Sequence, residues 1–119
     1  MKSQRPFKRT DRVASEIQSI LGQIQMQYID LSKLGFITFS HVSVSSDLKY
    51  AKVFFSVVQN KLSIEKTEDA LNAKAKAFRK YLGRMIQIKF TPELKFFYDD
   101  TFSYTEKIES IFHNIDSKD

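Results

Sequence analysis

Apolar residues recur at three- and four-residue steps from about Thr10 onward, which is the spacing of one face of an amphipathic helix. Thr10 or Asp11 is predicted to cap this helix, because a side-chain oxygen at that position accepts from exposed backbone amides. Gly22 lies inside the helix and weakens it by about 1 kcal/mol relative to alanine. The predicted apolar face consists of Val13, Ile17, Ile20, Leu21, Ile24 and Tyr28.

Two stretches rich in β-branched and aromatic residues follow and are predicted to be strands. The first runs from Phe36 to Val44, and its alternation is imperfect because apolar residues fall on both faces. The polar turn at residues 45–49 is short, so the two strands are predicted to form an antiparallel hairpin. One face of the second strand carries Ala51, Val53, Phe55 and Val57.

A second helical pattern begins at Ser63, a favourable N-cap, and continues to about Leu82. At about 100° per residue its apolar side chains fill one broad arc, but Lys74 falls in the middle of that arc. We therefore predict a bend near residues 74–76, so that the two halves of the helix face differently. Gly83 and Arg84 are predicted to end the helix.

The last strand is predicted to run from Met85 to Tyr98, because apolar residues occupy alternate positions through it. Pro92 donates no ladder hydrogen bond, so it is expected at a bulge or on an unpaired edge. Residues 103–106 have the form of a capping box for a short final helix, whose apolar stripe is Ile108, Ile111, Phe112 and Ile115. The expected fold class is α+β, with helices on one face of a three-stranded sheet.

The length of 119 residues corresponds to about one domain. We divide the chain into a flexible basic arm (1–9), a folded domain (10–100) and a short C-terminal helix with a frayed tail (101–119). No run approaches the roughly 18 apolar residues of a transmembrane helix, no apolar signal segment is present, and there is no cysteine. A cytoplasmic monomer without a membrane segment or disulfides is expected.

Positive charge is concentrated in two blocks of the sequence. Residues 1–12 carry a net charge of +4 and residues 61–95 carry +5, whereas residues 96–119 carry −4. From Ala70 through Pro92 there are six basic residues and no acidic one. Clustered positive charge raises both the encounter rate with a polyanion and the affinity for phosphate. A polyanionic partner is therefore favoured over a basic surface that faces only solvent.

Residues suited to catalysis are sparse. The two histidines, His41 and His113, lie far apart, and without cysteine they form no compact zinc site. The three glycines are also dispersed, so they form neither a P-loop nor a dinucleotide-binding turn. We interpret the chain as a non-enzyme with no cofactor and no metal.

The aromatic residues are interpreted mainly as core. Phe55, Phe78, Phe90, Phe96 and Tyr98 fall on apolar faces of the predicted elements. Phe54 and Phe97 fall on the other strand face and are expected to pack against the first or last helix. Base stacking is therefore not predicted from these residues.

The candidate RNA-binding residues are basic side chains in two regions. The arm and the start of the first helix supply Arg5, Lys8, Arg9 and Arg12, and the acid-free stretch supplies Lys74, Lys76, Arg79, Lys80, Arg84 and Lys89. Contacts of this kind bind the phosphate backbone and give affinity and register more than sequence readout.

Several blocks of the sequence, in the same order and spacing, resemble one protein family. These blocks are Arg12–Ile17, Leu34–Thr38, Val44–Leu48 with Ala51–Val53, Ala70–Asn72, Leu82-Gly83 and Thr91–Asp99. Together they resemble ribosome-binding factor A over about residues 9 to 112. The last block, with Gly83 at a fixed distance before it, is the most specific.

The resemblance implies a type II KH-like fold with the element order αββααβ. It also implies a bacterial assembly factor that binds the small (30S) ribosomal subunit and its rRNA late in maturation, with roles in 16S rRNA 5′-end processing and in growth at low temperature. The family carries an Ala-x-Gly kink between its two central helices. Here Lys74-Ala75-Lys76 stands at that position, so both the alanine and the glycine are replaced by lysine.

A second hypothesis belongs to a different functional class. The chain would be a protein-interaction module that docks a partner through an open sheet edge or through the apolar stripe of its C-terminal helix, and the basic face would be incidental.

Overall fold

The structure, a computed structural model, describes residues 9–100. Three helices, α1 (Arg9–Gln27), α2 (Ile64–Ala73) and α3 (Ala75–Met85), accompany three strands, β1 (Phe36–Val44), β2 (Tyr50–Val58) and β3 (Glu93–Tyr98). The sheet order is β1-β2-β3, with β1 antiparallel and β3 parallel to the central β2. The predicted α+β class, the αββααβ order and the hairpin are confirmed.

The core lies between the helices and one face of the sheet. The rings of Phe39, Phe78 and Phe96 meet at its centre with centroid distances of 5.3 to 5.8 Å. Phe78 comes from α3 and the other two from the sheet, so this cluster joins the two layers. The predicted α1 stripe is buried from Val13 to Ile24, but Tyr28 lies exposed beyond the helix end.

A β-bulge explains the imperfect alternation in β1. Phe39 pairs with Phe55 and His41 pairs with the next residue of β2, Phe54, so Ser40 is the extra residue. A bulge places two residues opposite one and thereby reverses the parity of the strand. Ile37, Phe39 and Val42 therefore all face the core.

The turn between β1 and β2 is held by Asp47. Its Oδ1 accepts hydrogen bonds from the Ser45 hydroxyl at 2.7 Å and from the Lys49 amide at 3.1 Å. These two hydrogen bonds, the Ser45 bond first, hold the pKa of the exposed Asp47 carboxyl below its ordinary value. The Val44–Leu48 block of the family is therefore a turn that is fixed by its own side chains.

Two predicted helix ends were wrong. α1 already includes Arg9, so Thr10 and Asp11 lie in its first turn and are not caps. α3 continues through Gly83 and Arg84 to Met85. Gly83 instead allows the Thr91 side chain to approach α3 closely, because a Cβ atom there would lie 2.9 Å from Oγ1 of Thr91.

The continuous strand from Met85 to Tyr98 was also wrong, since β3 begins only at Glu93. Residues 86–92 fold back along α3, where the Thr91 carbonyl accepts two hydrogen bonds from the Arg79 guanidinium, at 2.9 and 3.1 Å. Phe90, which was interpreted as core, is 71% exposed in this segment. Pro92 is buried just before the strand, where its missing amide costs no ladder hydrogen bond.

The predicted bend between the central helices is confirmed at Lys74. This residue separates α2 from α3 with φ −99° and ψ 4°, and its carbonyl still accepts from the Phe78 amide at 3.0 Å. Negative φ is open to any L-residue, so the kink needs no glycine. Ser63 caps α2 as predicted, by accepting from the Lys66 amide at 3.1 Å.

The predicted capping box at residues 103–106, the final helix and most of the basic arm lie outside the described residues. Among residues 9–100, none of the helices combines the length and apolar content required to span a bilayer.

Candidate nucleic-acid interface

One face of α3 is basic because the opposite face is committed to the core. Phe78 and Leu82 are fully buried against the sheet and α1. Lys76, Arg79 and Lys80 lie three and four positions apart, so they share the solvent face of the same helix. All three side chains are exposed.

The folded-back segment 86–92 adds a further cation to this face. Lys89 joins Lys76, Arg79 and Lys80 around a concavity of about 540 Å³, whose floor includes Gly83 and Thr91. The Lys89 ammonium lies 5.5 Å from the ring centroid of the exposed Phe90. Within residues 9–100, no acidic side chain lines this concavity. We call these four cations the α3 basic group.

Arg79 has a structural role within the α3 basic group. Its Nε and Nη2 atoms both donate to the Thr91 carbonyl, which fixes the 86–92 segment against the helix. A guanidinium has five donors, so three remain for a ligand. Arg79 therefore positions Lys89 and also contributes a charge of its own.

A second concavity, of about 660 Å³, adjoins the α3 basic group at the β3 side of the sheet. It shares Lys76 and Arg79 with the first and adds two lysines, Lys52 and Lys95, that sequence reasoning did not select. The two lysines are register partners on the parallel strands β2 and β3. Their positions along the chain give no sign of this, since only parallel pairing makes them neighbours. Glu93 also lines this concavity.

The remaining predicted residues are spread more widely. Lys74 is exposed at the kink, and the Arg84 guanidinium lies 5.7 Å from the ring centroid of Tyr81 in the last turn of α3. Arg9 and Arg12 are exposed on the first turn of α1, on a different helix. Arg5 and Lys8 lie outside the described residues.

The outer edge of β3 is occupied by side chains of α2. Asn72 donates to the Phe96 carbonyl at 2.9 Å and accepts from the Phe96 amide at 2.8 Å. Glu68 accepts from the Tyr98 amide at 2.8 Å. These bonds satisfy backbone groups that an added strand would use, so this edge does not favour β-strand addition.

The chemistry available at the α3 basic group is electrostatic. Its side chains are hydrogen-bond donors and cations, which suit phosphate oxygens. Among residues 9–100, no group of three or more histidine or carboxylate side chains is placed to hold a metal ion. The arrangement can bind a polyanion.

Comparison with known proteins gives one consistent result. The family model described as "Ribosome-binding factor A" matches residues 9–112. Ribosome-binding factor A of Legionella pneumophila (strain Paris) is 36% identical over 114 residues, which cover 95% of this chain and 91% of that protein. The protein of the same name from Trichlorobacter lovleyi is 30% identical over 108 residues, or 91% of this chain and 88% of that protein.

Solved structures show the same similarity. The solution structure of a Thermotoga maritima protein, described as a putative ribosome binding factor A, has a TM-score of 0.65 and 30% identity, covering 79% of this chain and 90% of that one. A Thermus thermophilus ribosome-binding factor A, fitted as a homology model into a cryo-EM map of a 30S complex, has a TM-score of 0.60 and 17% identity, covering 72% of this chain and 90% of that one. The latter likeness shows the fold alone.

Proposed function

This chain belongs to the ribosome-binding factor A family, and on that premise we propose that it binds the small (30S) ribosomal subunit through rRNA. The single observation that carries the proposed site is the α3 basic group, where four cations surround one concavity and none of the other described lining residues is acidic. The small subunit is chosen as partner because of the family membership, and a Thermus protein of the same family name was fitted into a 30S complex.

The proposed action is non-catalytic and stoichiometric. The bound protein would favour one conformation of the rRNA during late maturation, and maturation would then release it. A ligand shifts such an equilibrium only by its different affinity for the two states. Participation in 5′-end processing of 16S rRNA, a role in cold adaptation and a cytoplasmic location are parts of the same proposal.

The proposed RNA-binding residues form a centre and a periphery. Lys76, Arg79, Lys80 and Lys89 form the centre, because the fold places them around one concavity. Lys74 and Arg84 extend the centre along α3, and the exposed side chains of Arg9 and Arg12 would extend contact onto α1. Arg5 and Lys8 remain proposals from the sequence.

A triple charge reversal tests the proposed face. Lys76→Glu, Lys80→Glu and Lys89→Glu should weaken co-sedimentation with small subunits at least about tenfold, because several phosphate contacts are lost and repulsion is introduced. Arg79 is left unchanged, since its reversal would also release the 86–92 segment from α3.

The matched control reverses three lysines away from α3. Lys33 lies in the loop between α1 and β1, Lys61 lies in the loop between β2 and α2, and Lys66 lies in the first turn of α2. Lys33→Glu, Lys61→Glu and Lys66→Glu change the net charge by the same amount as the α3 variant. Equal loss of binding in both triple variants would mean that only net charge matters. Unchanged co-sedimentation of the α3 variant would refute the proposed face.

The alternative of a protein-interaction module finds less support. The β3 edge is occupied by Asn72 and Glu68, and at β1 the Phe39 carbonyl accepts from the Gln18 side chain at 2.8 Å. The apolar stripe proposed for the C-terminal helix lies outside the described residues. The β3 edge therefore does not favour an added strand, whereas at the β1 edge one carbonyl is occupied.

A further inference from the structure

The face of the sheet that points away from the helices carries a row of three rings. His41 of β1, Phe54 of β2 and Phe97 of β3 lie side by side, with centroid distances of 5.9 and 5.8 Å and interplanar angles of 33° and 31°. His41 is exposed and the two phenylalanines are half-buried. Of the two expected partners for Phe54 and Phe97, the first helix was wrong, because α1 covers the opposite face, and the last helix lies outside the described residues.

Two lysines lie next to this row. Lys52 and Lys95 are register partners, and each lies two residues before the phenylalanine of its strand, Phe54 or Phe97. Both lysines are exposed. Like charges at paired sheet positions destabilise the sheet unless an anion neutralises them. The Lys95 ammonium also lies 5.5 Å from the ring centroid of Phe97, which places a cation directly beside the ring row.

The ring row is continuous with the α3 basic group. The concavity of about 660 Å³ is lined on one side by Lys76 and Arg79 and on the other by Lys52, Lys95 and Phe97. Glu93, the first residue of β3, also lines this concavity, so an RNA strand that leaves α3 would reach the sheet face past four cations and one carboxylate. On the side away from the lysines, His41 and Phe54 share a concavity with Asp99 and Asp100, and Asp99 Oδ2 accepts from the Ser40 hydroxyl at 2.6 Å.

We propose that this sheet face binds a single-stranded segment of RNA, with bases stacked on Phe54, Phe97 and His41 and phosphates held by Lys52 and Lys95. Aromatic side chains on an open sheet are a recurring way to bind unpaired bases, because every base has a π-face. An apolar protein surface fits less well, since it would have to desolvate the ammonium groups of Lys52 and Lys95 beside the rings. The site rests on the proposed binding of rRNA but uses a different surface from the α3 basic group.

The test uses the full chain and a fluorescein-labelled octauridine, whose bases are unpaired. The double substitution Phe54→Leu and Phe97→Leu keeps apolar bulk but removes both rings, and it should weaken octauridine binding roughly tenfold in fluorescence anisotropy. Affinity for an eight-base-pair RNA duplex should stay unchanged, because its bases are not available for stacking. Phe36→Leu is the control, since Phe36 is an exposed ring on the same face but outside the row.

The phosphate contacts are tested separately. Lys52→Gln with Lys95→Gln should weaken octauridine binding and reduce its salt dependence. Octauridine should also shift the NMR resonances of the Phe54 and Phe97 rings in the unmodified protein. Such shifts would not be expected if Phe54 and Phe97 only stabilised the fold and did not contact RNA.

The outcomes separate this site from the proposed function. Equal octauridine affinity in the ring variant and in the unmodified protein, or no shift of the two ring resonances, would overturn the sheet site, and a protein would then be the better candidate occupant. Neither result would alter the expected loss of small-subunit binding in the α3 triple variant. If the α3 variant binds small subunits normally while the ring variant loses octauridine, the proposed α3 face fails and the sheet site stands.

Discussion

At the scale of single residues, Gly35 shows why one family block has its form. Its φ is +122°, and a Cβ atom there would lie 2.9 Å from the Asn60 Cα and 2.9 Å from the Gln59 carbonyl oxygen. Both neighbours are backbone atoms, which cannot rotate away. The glycine of the Leu34–Thr38 block therefore allows the backbone before β1 to pass close to the loop after β2.

Gly35→Ala should lower the free energy of unfolding by about 3 kcal/mol, because it adds both a positive-φ cost and a backbone clash. Urea denaturation followed by circular dichroism measures the change. A loss below about 0.5 kcal/mol would show that the loop relaxes freely around the added methyl group.

Gly22→Ala is the opposite case and serves as its control. A Cβ atom at Gly22 meets nothing within 4 Å, so no close contact in the part of the chain that the structure describes accounts for this glycine. Alanine should stabilise α1 by about 1 kcal/mol through helix propensity. A destabilised Gly22→Ala protein in the same denaturation series would contradict this account.

Arg79 and Lys95 make contacts that their positions in the sequence do not predict. The sequence indicates a basic helical face through the spacing of Lys76, Arg79 and Lys80, and the structure keeps that face. It does not reveal that Arg79 holds the Thr91 carbonyl, because that contact joins residues 12 apart through a non-repetitive segment. Lys95 becomes a neighbour of Lys52 only through tertiary pairing.

At the scale of elements, periodicity predicted the helices and the hairpin but failed at β3. The apolar alternation from Ile86 to Tyr98 is unbroken, yet only its second half joins the sheet. Ile86 is buried at the end of α3, and Phe90 is exposed beside Lys89. Alternation predicts which side chains could share a face. The contacts of Gly83 and Arg79 with Thr91 instead hold residues 86–92 against α3 and outside the sheet.

The side chain of Asn72 joins α2 to the outer edge of β3 by bonding both backbone groups of Phe96. Asn72→Ala should lower the free energy of unfolding by about 1–3 kcal/mol, because the part-buried amide and carbonyl of Phe96 both lose their partner. Amide exchange at Phe96 should also accelerate, which hydrogen-exchange NMR measures.

Asn60→Ala provides the comparison for Asn72. Asn60 donates one exposed hydrogen bond, at 2.6 Å, to the Leu62 carbonyl in a loop. Its replacement should cost less, within about 0.5 kcal/mol. Equal costs for the two asparagines would mean that the β3 edge does not depend on Asn72.

At the scale of the whole molecule, charge and burial are separated between two faces. One face of the sheet and the inner faces of the helices form the core, and the cations of α3 lie outside it. The αββααβ order could be predicted because periodicity shows the type of each element and Lys74 shows the break between α2 and α3, although the start of β3 could not. The interface could be predicted only in part, because its shape depends on the 86–92 segment and on parallel pairing of β2 with β3.

The salt dependence of binding to small ribosomal subunits tests the central claim most directly, because its slope counts the phosphates that the protein neutralises. Replacing Lys76, Lys80 and Lys89 by glutamine should reduce the magnitude of the log–log slope by roughly 2 to 3 relative to the unmodified protein, at about 0.7–0.9 per phosphate contact. The glutamine triple variant at positions 33, 61 and 66 should retain the original slope. An unchanged slope for the α3 variant would contradict the assignment of phosphate binding to this face.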